Sequence, residues 1–173
     1  CTPPAIHLQC TRAAAERGAH VLCEKPLSHD LRTAQEMVSL ARRAGIWLMT
    51  ALCHRFHGPV IQLKEMIDAG RLGEILYFQN RFAFRFEGVE DTWFVVPEVA
   101  GGGVLIDTEV HAIDLFRYLV GPVTSVSAHT NTTLPIAVED SAVIMLQSAG
   151  GVPGVVSCSW VSPPGQATIE VYG

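Results

Sequence analysis

Several things are scarce in this chain of 173 residues. Its five cysteines, Cys1, Cys10, Cys23, Cys53 and Cys158, form no C-x-x-C pair, so neither a zinc ribbon nor a regular disulfide framework is expected. They read as free thiols of a reducing compartment, each a small buried hydrophobe, which points to a soluble cytoplasmic protein. Lys and Arg number only 12 against 17 Asp and Glu, a net charge of −5, and show no clustered basic footprint for nucleic acid. No apolar run is long enough to span a bilayer. The first residues lack the basic start and apolar core of a secretory leader. No G-x-G-x-x-G follows a strand pattern, no nucleophile elbow is present, and no Ser-His-Asp order appears. At 49% hydrophobic and 17% charged, the chain is nonetheless rich enough in apolar residues to build a real core.

What is present reads in two parts. Pro3 and Pro4 open a helix running to about Arg17, with Gly18 as its stop. A short apolar strand is expected over 19–23. Asp30 then caps a helix from Leu31 to Ala44, whose Leu31, Ala34, Met37, Val38 and Ala41 recur at helical spacing before Gly45 ends it. A second short strand follows over 46–52. Strand and helix alternating in this way imply a parallel α/β sheet.

After Pro59 the pattern changes. One helix is predicted over 60–69, then a long strand over 75–86 with Phe78, Asn80, Phe82, Phe84 and Phe86 on one face. Gly101 to Gly103 lead into an amphipathic helix over about 104–119. Strands over 122–133, 139–148, 152–161 and 166–172 come at hairpin-like spacing. This second part reads as a mainly antiparallel open sheet with helices on one face, an α+β domain. The division expected is 1–52 and 53–173. Both ends read as cut, within a βα unit at the start and at the end of a strand pattern over 171–173.

Two constellations carry chemistry. Lys25, in Cys23-Glu24-Lys25-Pro26, stands where a strand gives way to a loop, the place where open α/β sheets bind ligands. A lysine there can move a proton or orient a hydroxyl, although a plain surface lysine fits the same spacing. Asp107 and His111 are four apart and are expected one helical turn from each other, with Asp114 on the same stripe. An imidazole between two carboxylates is expected to stay oriented with its pKa raised, as a general acid or base requires. Zinc ligation by Asp-x-x-x-His lacks a third ligand nearby, so no metal is expected. An ordinary capping Asp with a solvent-facing His is the bland alternative. Arg55, within His54-Arg55-Phe56-His57, suits either a clamp on a polar substrate or an inter-domain salt bridge. Trp93 and Trp160 offer walls for a sugar-sized pocket, unless they belong to the core.

Placed together, these residues resemble the glucose–fructose oxidoreductase / inositol dehydrogenase / MocA family. The likeness rests on four stretches: Thr2-Pro3-Pro4 with His7; His20 to Leu27; the GGG-x-L-x-D-x-x-x-H-x-x-D run from Gly101 to Asp114; and the closing strands with Val138-Glu139-Asp140 and Ile169 to Gly173. The Glu-Lys-Pro and Asp-x-x-x-His signals, in this order and some eighty residues apart, are specific together.

The resemblance implies the C-terminal part of a Rossmann domain binding NAD or NADP, then a substrate-binding and oligomerisation domain. It implies Lys25, Asp107 and His111 as catalytic residues, and Asp114, Arg55 and Trp93 on the substrate side. Thr2, Pro3, His7, Glu24, Lys25 and Pro26 would then line the cofactor. The substrate implied is a sugar, cyclitol or related polyol with a secondary alcohol. His111 would take its proton, Lys25 would orient its oxygen, and Asp107 would fix His111 or a neighbouring hydroxyl. A homo-oligomer, dimer or tetramer, through the open sheet is expected, with neither nucleic acid nor membrane as partner. Two other readings are a non-catalytic sugar-sensing or dimerisation module and a transient-redox hydrolase or lyase retaining NAD. Three departures from the family pattern stand out: Glu109 replaces a glycine, 93–97 is apolar, and the phosphate loop is missing. The last leads to the expectation that these 173 residues alone bind dinucleotide poorly and are inactive.

Overall fold

The computed structural model describes residues 2–173, with side chains at all of these except positions 164 and 166. Cys1 therefore lies outside the described residues.

The first part is a βαβ unit preceded by a helix. A 3₁₀ turn over Pro4–Ile6 runs into α1 (His7–Ala15), two residues short of the expected end at Arg17. Strands β1 (Val21–Cys23) and β2 (Leu48–Thr50) pair in parallel, Val21 opposite Leu48. Both are shorter than their apolar runs, because only three residues of each find a ladder partner. Between them lies α2 (Leu31–Ala44). The Asp30 carboxylate accepts from the Thr33 amide at 2.8 Å, and Gly45 ends the helix at φ 66°, a conformation glycine adopts without Cβ strain. Met37 and Ala41 are its buried residues, on the stripe that the periodicity marks.

A 3₁₀ turn over Cys53–Phe56 leads to α3 (Gly58–Asp68), whose Pro59 occupies the first turn, where no amide is needed. Strand β3 (Tyr77–Arg85) follows. Two 3₁₀ turns, Val89–Asp91 and Trp93–Val95, and the short α4 (Pro97–Ala100) then bring the chain to the glycine run. The predicted helix over 104–119 is two helices in series. Leu105–Glu109 form a π-helical turn, and α5 (Val110–Leu119) continues as ordinary α-helix. A π turn inserts an extra residue per turn, and period-3.6 reasoning does not detect it.

Strands β4 (Val123–Asn131), β5 (Ser141–Ser148), β6 (Pro153–Ser159) and β7 (Val161–Tyr172) complete a five-stranded sheet of order β4-β5-β6-β3-β7. Three of its four pairings are antiparallel, and β3 with β6 is parallel. This agrees with the mainly antiparallel α+β reading.

Along β5, Ala142, Ile144 and Leu146 are buried while Val143 and Met145 are exposed. Ile144 and Leu146 of this set join Phe78, Val156 and, from the helices, Val60, Leu115, Phe116 and Leu119 in one core, whereas Ala142 joins a second with Val104 and Trp160. Burying each of the larger side chains contributes roughly 1.5–3 kcal/mol. The Phe116 ring meets Phe78 edge-on at 5.3 Å, so Phe116→Ala would cost about 3–5 kcal/mol. Helices α3 and α5 thus cover one sheet face, and α5 delivers its first turn to the junction with the βαβ unit.

Candidate active site

Lys25 lies two residues beyond β1, just before a Lys25–Pro26 cis peptide. Its ammonium donates to Asp107 twice, at 2.6 Å to Oδ1 and at 2.8 Å to the carbonyl oxygen. The two sides of the molecule, 82 residues apart in sequence, meet at this pair. Asp107 also accepts from the Thr108 hydroxyl at 3.2 Å. The expectation that Asp107 fixes His111 is therefore corrected. On the π turn its carboxylate faces the lysine, and His111 Nδ1 has no hydrogen-bond partner.

The glycine run places that turn. Glu139 Oε1 accepts from the amides of Gly103 at 2.9 Å and Leu105 at 3.1 Å, and its carbonyl accepts from Val104 at 2.9 Å. A Cβ on Gly103 would sit 1.9 Å from the Glu139 carbonyl oxygen, and one on Gly101 would sit 2.2 Å from that of His29. The glycines are there because two backbones pass too closely for any side chain. Asp140, fully buried beside Glu139, accepts from the Leu134 and Thr133 amides at 2.8 and 2.5 Å. Burial acts to raise its pKa, but these donors outweigh it and hold the carboxyl below its ordinary value.

His111 is 6% exposed, and its ring stacks on His54 with centroids 3.9 Å apart and planes 12° from parallel. Burial, then the fields of His54, Lys25 and His57, push its pKa down to about 3. That corrects the expectation of a raised value, because neither neighbouring carboxylate is free to serve it. Asp107 is held by Lys25. Asp114, 8% exposed, is held by Arg55, whose Nε donates to Oδ2 at 2.7 Å while Nη2 donates to Oδ1. The Arg55 guanidinium also lies over the Tyr118 ring, 4.9 Å from its centroid. Arg55 and Asp114 are thus joined to each other as a link between the 3₁₀ turn and α5.

Two cavities flank this assembly. A cleft of about 250 Å³ is lined by Thr2, Pro3, Glu24, Lys25, Pro26 and Asp107, with Trp93 and Phe94 on its far wall. Its mostly apolar lining and single ammonium suit a flat aromatic ring carrying a polar group, so these residues fit the nicotinamide end of a dinucleotide. His7 does not line it. Buried, with its ring nitrogens 3.2 Å from the Leu27 carbonyl and 3.0 Å from that of Thr2, it holds together the two loops that do.

A larger cavity of about 670 Å³ is lined by His54, His57, Asn80, Phe82, His111 and Ile169 among others. Two of these residues carry buried polar atoms without partners, Asn80 Oδ1 and His111 Nδ1. Such atoms are rare unless something outside the chain serves them. Lys25 and Asp107 therefore line one cavity and His111 the other, so the predicted trio is gathered at one junction without sharing a wall.

Other expectations fare differently. Trp93, 36% exposed and stacked on Phe94 at 4.0 Å, does line the cleft. Trp160 is 1% exposed and belongs to a second core cluster with Val89, Val104 and Cys158. Glu109 turns away from both cavities. Fully buried, with both oxygens unpaired and the Cys158 thiol facing it, it has its pKa raised by burial to about 7. The same burial, with Glu109 opposite, pushes the Cys158 thiol up. Of the four described cysteines, all are free, and Cys10 and Cys53 are exposed rather than buried. Sequence reasoning missed His54, His57 and Asn80, whose types carry no periodic signal, and Glu139, which the Val138-Glu139-Asp140 stretch did flag without a role.

The chain is similar to known proteins along nearly all of its length. Residues 60–173 match the GFO/IDH/MocA C-terminal domain, and residues 1–52 match the oxidoreductase family with an NAD-binding Rossmann fold. D-glucoside 3-dehydrogenase of Escherichia coli is 40% identical over 134 residues, covering 75% of this chain and 38% of that protein. D-xylose 1-dehydrogenase (NADP(+)) 2 of Haloferax volcanii is 32% identical over 164 residues, 95% of this chain and 50% of that one. A solved levoglucosan dehydrogenase, in complex with NADH and levoglucosan, superposes on the whole chain with a TM-score of 0.95 at 29% identity, over 50% of its own length. The chain thus spans about half the length of the relatives it matches, or less.

Proposed function

Because the chain belongs to the GFO/IDH/MocA family of oxidoreductases, we propose that it supplies the catalytic and substrate-binding half of a nicotinamide-dependent dehydrogenase acting on a secondary alcohol of a sugar, cyclitol or related polyol. The observation that carries this reading is the ammonium of Lys25 held 2.6 Å from Asp107, with His111 one turn further on and unpaired at Nδ1.

In the direction of oxidation, His111 accepts the hydroxyl proton. Burial and its cationic neighbours keep the imidazole neutral near pH 7, so its lone pair is free, and bound substrate and cofactor must lift its low basicity for the transfer. Lys25 stabilises charge developing on the substrate oxygen, and Asp107 holds the ammonium in place for that task. Asn80 and the His54–His57 turn take further hydroxyls of the substrate in the larger cavity. A nicotinamide dinucleotide, when bound, supplies the acceptor or donor of hydride. Thr2, Pro3, Glu24, Lys25 and Pro26 hold its reactive end in the smaller cleft. NAD and NADP both remain candidates, since relatives with either cofactor match.

Two further parts complete the reading. The division near residue 52 separates the nucleotide-binding part from the substrate-binding part. The sheet face that exposes Val143 and Met145 joins copies into a homo-oligomer. No helix among the described residues is long and apolar enough to cross a membrane, and a cytoplasmic protein handling small polyols fits the free thiols.

The test is anaerobic incubation of the whole protein with NAD⁺ or NADP⁺ and a panel of aldoses, glucosides and inositols, following reduced-nicotinamide fluorescence. Net cofactor reduction with at least one alcohol is expected. Lys25→Met and His111→Gln should each lower kcat by about 10²–10⁴-fold with the far-ultraviolet circular dichroism unchanged. Turnover without net reduction, or full activity in both variants, overturns the reading.

A further inference from the structure

The proposed acid–base residue also belongs to a set of three ligand atoms that neither the spacing nor the proposed reaction reads as a metal site. Cys53 and His54 open the 3₁₀ turn after β2, and His111 sits in the first turn of α5. Each offers one ligand atom, and the three atoms lie within 4.8 Å of one another. His111 is buried, and its Nδ1 lacks any partner, so the least mobile member of the set also has an unmet coordination need.

We propose that Cys53, His54 and His111 form a site for one divalent transition-metal ion of the zinc class. One sulfur and two imidazole nitrogens are a borderline-soft set that suits zinc or cobalt(II) and discriminates against magnesium and calcium, which take oxygen. Tetrahedral zinc, with bonds of about 2.0–2.3 Å, wants its ligand atoms roughly 3.5 Å apart. The set must therefore close by about an ångström.

The movable members are on the surface side. Cys53 is exposed and His54 half-buried, both on a single-turn helix, whereas His111 is buried on α5 at the cavity wall. The His54 ring must also leave its stack on His111, because the lone pairs of parallel rings do not converge. The fourth position faces the cavity of about 670 Å³, where water or a ligand oxygen completes the shell. The nearby Lys25 ammonium opposes a second cation. The thiolate formed when the metal displaces the Cys53 proton offsets it.

A metal here takes the imidazole that the proposed dehydrogenation uses, so loading would inhibit. That consequence rests on the function proposed above, whereas metal binding does not.

The experiment is titration of the whole protein with Co²⁺ alone under reducing, oxygen-free conditions. One equivalent should bind, with tetrahedral d–d absorption, a thiolate-to-metal charge-transfer band and release of a proton, and Zn²⁺ should displace it. Cys53→Ser should remove the charge-transfer band and weaken Co²⁺ binding by at least about a hundredfold. His54→Ala should weaken it similarly, while Cys10→Ser, at an exposed cysteine on α1, should leave band and affinity unchanged. No band in the unaltered chain, or a band that survives Cys53→Ser, overturns the proposal. No step of this measurement involves hydride transfer, so its failure is distinct from failure of the proposed function.

Discussion

The imidazole of His54 lies flat on that of His111, 3.9 Å between centroids, and the two rings keep each other from water. His111 is held neutral first by burial and second by the field of His54. His54 is lowered by the same causes, burial first and then His57 and Lys25, with Asp114 pulling the other way. Removing His54 opens the ring face of His111 and deletes one cationic neighbour. In His54→Ala, with chelator present, the His111 pKa should rise from about 3 by on the order of one unit or more. Histidine ring signals followed by NMR across the acid range would read it. An unmoved or lower value would show that the stack has no such effect.

Two buried groups give the stability–pH curve its shape, and they oppose each other. His111 falls from 6.5 to about 3 on folding, so the unfolded chain binds the extra proton in that window and stability is lost as pH drops through it. Glu109 rises from 4.5 to about 7, so the folded chain holds the extra proton and stability is lost as pH climbs through that range. Between 4.5 and 6.5 the two slopes nearly cancel; below 4.5 the His111 slope of about 1.4 kcal/mol per pH unit dominates, and the lowered Asp140 carboxyl adds to it as pH falls below 3.8. Urea unfolding should therefore give a plateau with a steep acid side. Replacing the buried carboxyl in Glu109→Met should remove the alkaline loss and raise stability at pH 8 by roughly 3 kcal/mol, with little gain near pH 4. Equal gains at both pH values would contradict this.

Gly103→Ala should be far more damaging than an ordinary glycine replacement. Its Cβ would press against the Glu139 carbonyl at 1.9 Å, where backbone stands on both sides and nothing flexible can yield. A loss of about 3 kcal/mol or more is expected in chemical denaturation. Glu139→Gln keeps one acceptor for the Gly103 and Leu105 amides and should lose less than about 1.5 kcal/mol. A mild Gly103→Ala would mean that the π turn moves freely.

Arg55 can be sorted by asking what its removal does without substrate. Arg55→Met strands the Asp114 carboxylate, 8% exposed, and should cost about 3–5 kcal/mol of stability. The double variant Arg55→Met with Asp114→Leu should recover most of that loss. A clamp devoted to substrate would instead leave the melting temperature unchanged and raise KM alone.

Much of the architecture was legible because it depends on neighbours in sequence. The Asp30 cap, the Gly45 stop and the strand expected over 139–148 are local matters of hydrogen bonding, Cβ sterics and propensity, and the structure repeats them. The presence of Lys25, Asp107 and His111 near one junction was legible too, as motif order and strand-end position. Their mutual arrangement was not. A straight-helix reading set His111 between two carboxylates. A π turn and two cations arriving from distant segments assign Asp107 to Lys25 and Asp114 to Arg55 instead. The role of Glu109, the tie from Glu139 to the glycine run and the meeting of Cys53, His54 and His111 likewise follow from how distant segments pack. Sequence alone determined which elements form and which reactive side chains they carry. Tertiary structure alone decided each charge's partner and how far burial moves its proton, because both depend on distances across the fold.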